Sequence, residues 1–366
     1  MTTPMQQIFT TLQTSFSSRK TYDISFRKEQ LRKFMDMILT EREAIQKAVY
    51  SDLKKPASDV LLNEIQLCIN EAKLALSNLD NWSDSENADK KMANMFDTAY
   101  IRRDPKGIAL VIAPWNFPIQ LSLAPFASLI ASGCVGILKP SEVTPHTSTC
   151  LKEIFSKYMD PSYYTVIEGG VKETTELLKL PFNHIFYTGS TNVGKIIMRA
   201  AAEHLATVTL ELGGANPCYL DGTVDLKTAA KRICWLKSMN CGQICLSINY
   251  LFIKADLVDM FIKHYKTALG EMYGTDIKAS PDYSRIVNEN HFERITKILN
   301  KVDKSNILVG SETDRSELYI APSVVKASME DKWIQDELFA PILPIIPVDD
   351  FSKSISFASS LYLLFI

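Results

Sequence analysis

Between Phe26 and Leu53, the apolar positions Leu31, Phe34, Met35, Ile38, Ile45 and Val49 share one helical stripe with charges between them, which predicts an amphipathic helix. A second stripe, Leu61, Ile65, Cys68, Ala72 and Leu76, predicts another helix, and Pro56 separates the two. Ser83 to Lys91 has no apolar period and predicts a loop. From Ile108 onward the pattern changes to short apolar runs, which predict strands at Ile108 to Ala113, Val135 to Lys139, Tyr164 to Glu168, His184 to Tyr187 and Thr207 to Leu212. Helical stretches lie between them, near Leu121 to Ser132, Ser148 to Tyr158, Lys172 to Leu178 and Asn192 to His204. Runs that are apolar on both faces and joined by helices are what a buried parallel sheet requires, so the first domain is expected to be doubly wound. After Gly214 the alternation resumes, with a helix near Asp225 to Met239, a strand near Asn249 to Lys254 and a helix near Leu257 to Leu269. These predict a second α/β domain.

Composition narrows the class. A chain of 366 residues with 46% apolar content exceeds the size at which single cores stop growing, so two domains are expected. The net charge of −2, from 40 basic and 42 acidic residues, argues against a nucleic-acid partner that relies on bulk positive charge. The seven cysteines form no regular framework, and reduced thiols in a cytosol-facing compartment are expected. The start Met1 to Gln7 lacks a basic region followed by an apolar run, so no secretory signal is read. No run approaches the roughly 18 apolar residues of a membrane span, and Leu361 to Ile366 is too short for an anchor. The five histidines are scattered without metal-ligand spacing, so no metal site is expected.

The candidate chemistry sits at strand ends and in two later segments. An open α/β sheet binds ligands beyond the carboxyl ends of its strands, where Pro114-Trp115-Asn116, Lys139-Pro140-Ser141-Glu142 and Gly189-Ser190 all fall. Lys139 and Glu142 suit ribose hydroxyls, and a carboxylate at 142 would repel a 2′-phosphate. Gly189 to Gly194 opens a helix whose first N–H groups favour a pyrophosphate. Glu211, between two leucines and before Gly213-Gly214, is a candidate base, because desolvation makes a carboxyl a better proton acceptor. Asn240-Cys241-Gly242-Gln243-Ile244-Cys245 offers two thiols four residues apart, either of which is a candidate nucleophile. In isolation each segment has a plainer reading: a turn at 115–118, a solvated pair at Lys139 and Glu142, a simple strand-to-helix turn at 189–194, and small core cysteines.

Taken in order and at their spacing, these segments resemble the aldehyde dehydrogenase superfamily, most closely its class 3 branch with the fatty aldehyde dehydrogenases. The wording of His184 to Ser190, Thr207 to Gly214 and Pro217-Cys218-Tyr219 is close to that branch, and the resemblance runs from about Phe9 to about Val348. It implies a doubly wound parallel-sheet NAD-binding domain over residues 1–209, including a bridging or oligomerisation segment near 84–106, and a catalytic α/β domain over 210–366. It places the nucleophile after Gly-Gln-x, at Cys245, with Glu211 as base and Asn116 with the Cys245 N–H as oxyanion donors. It implies that Trp115, Lys139, Ser141, Glu142, Gly189, Ser190, Thr191 and Gly194 hold the cofactor, and that Glu337 and Phe339 hold its nicotinamide ribose. The implied cofactor is NAD, with NADP also accepted in the branch. The implied reaction takes medium- or long-chain aliphatic or aromatic aldehydes to carboxylic acids, in a cytoplasmic homodimer.

Three departures from the family stand out. Ala215 replaces the Lys that usually follows Gly-Gly, and Ala340 replaces the Gly of Glu-x-Phe-Gly-Pro. If position 340 needs positive φ, alanine costs about 1 kcal/mol of strain. The chain also stops short of the family's usual end, without its Phe-Gly-Gly-Val-Gly-x-Ser-Gly stretch, which implies an incomplete catalytic domain and dimer interface. The competing reading is therefore a relative that binds nucleotide or a partner without turnover.

Overall fold

The computed structural model describes residues 3–361. Tyr362 to Ile366, within the short apolar end considered as an anchor, lie outside the described residues, as do Met1 and Thr2. The chain divides into two compact units. The first holds the described residues up to Ala48 together with Ser58–Glu211, and the second holds Val49–Ala57 with the described residues from Leu212 on.

The first unit is built on strands β1 (Ile108–Ile112), β2 (Val135–Lys139), β3 (Tyr164–Val166), β4 (His184–Gly189) and β5 (Thr207–Leu212), in the order β3-β2-β1-β4-β5. The pairs β1/β2, β1/β4 and β2/β3 are parallel. Strands β1 and β2 are buried at every residue, as their unbroken apolar sequences require. Strand order reverses at β1, which has β2 on one side and β4 on the other, and this is where open α/β sheets bind ligands. Beneath the sheet, Phe126 stacks edge-on against Phe155 (5.1 Å) and Tyr164 (5.9 Å), joining two helices to β3. Truncating so buried a phenylalanine to alanine typically costs about 3–5 kcal/mol.

Three sequence expectations for the stretch before β1 need correction. The single helix expected over Phe26 to Leu53 is two, Ile24–Thr40 and Arg42–Leu53, because Glu41 leaves helical geometry and its carboxylate is held by Lys157 and Tyr158. The second helix begins with a short α segment, Ala57–Val60, followed by a wide π turn at Leu61–Ile65 before Gln66–Ser83. Within the expected loop, Glu86–Asn87 pairs antiparallel with Tyr100–Ile101.

The second unit carries strands β6 (Pro217–Leu220), β7 (Tyr250–Lys254), β8 (Ile307–Val309), β9 (Ser323–Lys326) and β10 (Ile342–Val348), ordered β8-β9-β10-β7-β6. Only β8 runs antiparallel to its neighbour; the other pairs are parallel. The helices Leu226–Ser238 and Val258–Tyr273 pack through Ala230, Ile233, Cys234, Phe261 and Tyr265 against this sheet. Ala215 is buried with Tyr250, Phe252 and Ile346, a setting in which alanine fits and an unpaired lysine would not. A final helix, Phe351–Ser360, is capped by Asp350 and packs Phe351 on Tyr219 and Phe357 on Tyr250. None of β6, β8, β9 and β10 was predicted from the sequence.

Candidate active site

In the first unit, the residues expected to hold a nucleotide sit where β1, β2 and β4 end. Asn116 is buried and Trp115 half-buried in the turn after β1. Lys139, the last residue of β2, is buried and donates its ammonium to the carbonyls of Pro140 (2.8 Å) and Gly169 (2.7 Å) and to Glu142 Oε2 (3.2 Å). That grip holds Glu142, itself exposed, at the mouth of the strand end, beside the buried Ser141. After β4, Gly189 leads into the helix Thr191–Ala202, which Ser190 caps by accepting the Val193 N–H (3.4 Å). Thr191 is half-buried and Gly194 buried in its first turn. Glu211, near the end of β5, is half-buried.

In the second unit, the segment before Cys245 takes an unusual path. The helix Leu226–Ser238 ends at Met239, and Asn240, Cys241 and Gly242 follow with φ of 49°, 53° and 65°. A β-carbon on Gly242 would lie 2.3 Å from the Ala340 carbonyl oxygen, so only glycine allows this approach. Gln243, fully buried, holds the turn: its side-chain amide donates to the carbonyls of Asn240 (2.9 Å) and Arg285 (3.1 Å) and accepts the Val287 N–H (3.1 Å).

The two thiols of this segment are thereby separated. Cys241 has 0% exposure, donates to the Ser284 carbonyl (3.0 Å), and has its pKa pushed up by burial to about 12. Cys245 is half-buried, and its carbonyl accepts from the Asn216 side-chain amide (2.6 Å), which also reaches the Ser247 carbonyl (3.1 Å).

Glu337 meets the same region. Its carboxylate rests against Gly213 and accepts the Gly214 N–H, while Oε1 is buried without a hydrogen-bond partner. Burial pushes its pKa up to about 7, an effect that the Gly214 N–H, Arg294 and Lys237 partly offset. Lys237, itself fully buried, is pushed down to about 7 by burial and donates to the Ile248 carbonyl (2.8 Å). Asn249 fastens the preceding loop: its amide donates to the carbonyls of Ile334 (3.2 Å) and Asp336 (3.0 Å) and accepts the Leu338 N–H (2.8 Å). Arg294 donates to the Leu338 (2.7 Å) and Phe339 (3.1 Å) carbonyls. Positive φ falls on Phe339 (47°) and not on Ala340, so the strain expected of the alanine is absent.

Asn216, Lys237, Asn249 and Arg294 were missed in the sequence. Lys237 carried a signal, since it continues the apolar stripe Ala230, Ile233, Cys234 on its helix. The first unit offers strand ends at a point of order reversal, which suits a nucleotide, and the second offers a buried carboxylate oxygen without a hydrogen-bond partner, which suits a ligand hydroxyl. Among the described residues, no group of three His, Cys, Asp or Glu could hold a metal ion, and no helix is long and apolar enough to cross a membrane.

Comparison with known proteins agrees with this chemistry. A family model described as "Aldehyde dehydrogenase family" matches residues 4–362. Aldehyde dehydrogenase family 3 member A2 of Pongo abelii is 42% identical over 344 residues, spanning 94% of this chain and 70% of the relative. The 4,4'-diaponeurosporen-aldehyde dehydrogenase of Staphylococcus aureus (strain NCTC 8325 / PS 47) is 40% identical over 354 residues, spanning 96% and 77%. A solved structure described as the substrate-bound state of Staphylococcus aureus AldH superposes with a TM-score of 0.95 at 38% identity, covering 98% of this chain and 78% of that one. The chain therefore belongs to the aldehyde dehydrogenase family, in its class 3 branch, and is an NAD(P)-dependent aldehyde dehydrogenase.

Proposed function

We propose that the chain oxidises medium- or long-chain aliphatic or aromatic aldehydes to carboxylic acids through a thioester on Cys245. The observation that carries this reading is the contrast between the two thiols of one turn: Cys241 is sealed and Cys245 is accessible, with its backbone fixed by Asn216. The Cys245 thiolate adds to the aldehyde carbon, and the resulting oxyanion takes hydrogen bonds from the Asn116 side chain and the Cys245 N–H. NAD(P), when bound, supplies the hydride acceptor. Glu211 takes a proton from the water that attacks the thioester, and the acid leaves with Cys245 restored. Trp115, Lys139, Ser141, Glu142, Gly189, Ser190, Thr191 and Gly194 hold the adenosine and pyrophosphate end. Glu337 and Phe339 hold the nicotinamide ribose.

The class 3-like wording of the sequence supports apolar aldehydes, and the Staphylococcus aureus relative is named for a 4,4'-diaponeurosporen aldehyde. Residues 1–209 form the nucleotide-binding domain in this reading, and 210–366 the catalytic one. The segment near 84–106 carries the exposed Met92, Met95, Phe96, Tyr100 and Ile101, which suits a homodimer contact in the cytoplasm. The test is NADH formation by purified protein across an aldehyde series, with Cys245→Ala beside it. Turnover that rises with chain length and is lost in the variant is expected; no NADH from any aldehyde overturns the reading in favour of a binding protein without turnover.

A further inference from the structure

The turn that carries Asn116 is anchored by a buried carboxylate that the mechanism does not use. Helix Gln120–Ala131 starts four residues after Asn116, and its N-cap position is Ile119, whose side chain cannot accept a hydrogen bond. Glu64 supplies the cap from another helix. Fully buried, it accepts the N–H groups of Ile119 (2.8 Å) and Gln120 (3.3 Å) on one oxygen, Oε2. Four residues on, the Cys68 thiol points at the carbonyls of Ile119 (3.7 Å) and Gln120 (3.9 Å). Donors and acceptors of the same two residues are thus gripped by neighbouring turns of one helix. Glu64 lies in the π turn Leu61–Ile65, a local widening that departs from α-helical register at this residue.

An uncharged Ser or Asn at position 119 would cap this helix without burying a charge. The chain instead buries a carboxylate at the one turn that leads to Asn116, which is itself buried along with Phe117. The N–H groups it holds are the first of the helix, where the dipole favours negative charge. We propose that Glu64 is the positioning residue for Asn116, fixing the turn so that the amide is aimed before substrate arrives. This rests on the reading of Asn116 as oxyanion donor. Misplacing a catalytic group by about 1 Å can cost about 100-fold in rate, so a released turn would be felt in the chemical step.

The test is a double-mutant cycle of Glu64→Gln and Asn116→Ala, read as pre-steady-state NADH formation, NAD affinity and alkylation of Cys245. Glutamine keeps the shape and an acceptor oxygen but removes the charge. Glu64→Gln is expected to slow NADH formation about 10–100-fold in the parent and less than about 3-fold in Asn116→Ala, with NAD affinity and Cys245 alkylation unchanged. Equal losses in both backgrounds, or no loss in the parent, overturn the proposal while leaving the role of Asn116 intact. An undiminished Asn116→Ala overturns that role and the proposal with it. Should Glu64→Gln fail to accumulate, Glu64→Asp, which withdraws the carboxylate by one methylene, carries the same cycle.

Discussion

The Oε2 atom of Glu337 lies 2.1 Å from the point where a β-carbon on Gly213 would stand, so the carboxylate occupies room that only glycine leaves. Gly213→Ala is expected to push Glu337 out of its seat. NAD titration by fluorescence should show affinity weakened about 10-fold or more, the scale of a lost charge-assisted hydrogen bond, with the far-ultraviolet circular dichroism unchanged. Parent-like affinity would remove Glu337 from the cofactor site.

Glu337 also sets a pH dependence. With its pKa raised to about 7 by burial, it is ionised mainly above neutrality. If the ionised form accepts the ribose hydroxyl, NAD binding tightens as pH rises from 6 to 8, with apparent affinity falling about tenfold per unit below the pKa. Calorimetric titration should show this in the parent and a flat profile in Glu337→Gln. The contribution of this group to stability has the opposite sense. Because its folded pKa is raised, that contribution is present at acid pH and is lost as pH rises through about 7.

Cys241 and Cys245 should separate cleanly under alkylation. Iodoacetamide followed by peptide mapping is expected to mark Cys245 and leave Cys241 untouched until the protein unfolds, because Cys241 is sealed and its thiol is held un-ionised. Cys241→Ala should keep most turnover and lower stability by about 1–3 kcal/mol, from a lost hydrogen bond and a small cavity. Rapid labelling at 241 would contradict the assignment of roles.

Glu142 bears on the choice between NAD and NADP. Lys139 holds it beside the end of β2, where an added phosphate would meet a second negative charge. Glu142→Gln is expected to raise kcat/KM for NADP relative to NAD about 10-fold, measured with one aldehyde. A ratio that does not move would place the adenosine ribose elsewhere.

Much of the first unit was readable in the sequence because β1 and β2 are short and apolar on both faces, and β1, β2 and β4 each end in a chemically distinctive turn. The second unit was less so. Strands β8 and β9 have three and four residues, too short for periodicity, and β10 contains Pro344 and Pro347, which argue against a strand from sequence alone. At the site, nucleophile and base candidates stood out by residue type. The asparagines at 216 and 249 did not, because they act through backbone groups distant in sequence and look like ordinary turn residues. The break at Glu41 was equally hidden, since its partners Lys157 and Tyr158 lie more than a hundred positions away.

Asn249 has a mechanical consequence. One side of this residue follows the thiol-bearing turn, through the Ile248 carbonyl held by Lys237, and its other side is tied to Asp336 and Leu338, which flank Glu337. Neither stretch can be displaced without tugging on the other. A load applied at Glu337 is transmitted along a single amide to the peptide that follows the Cys245 turn.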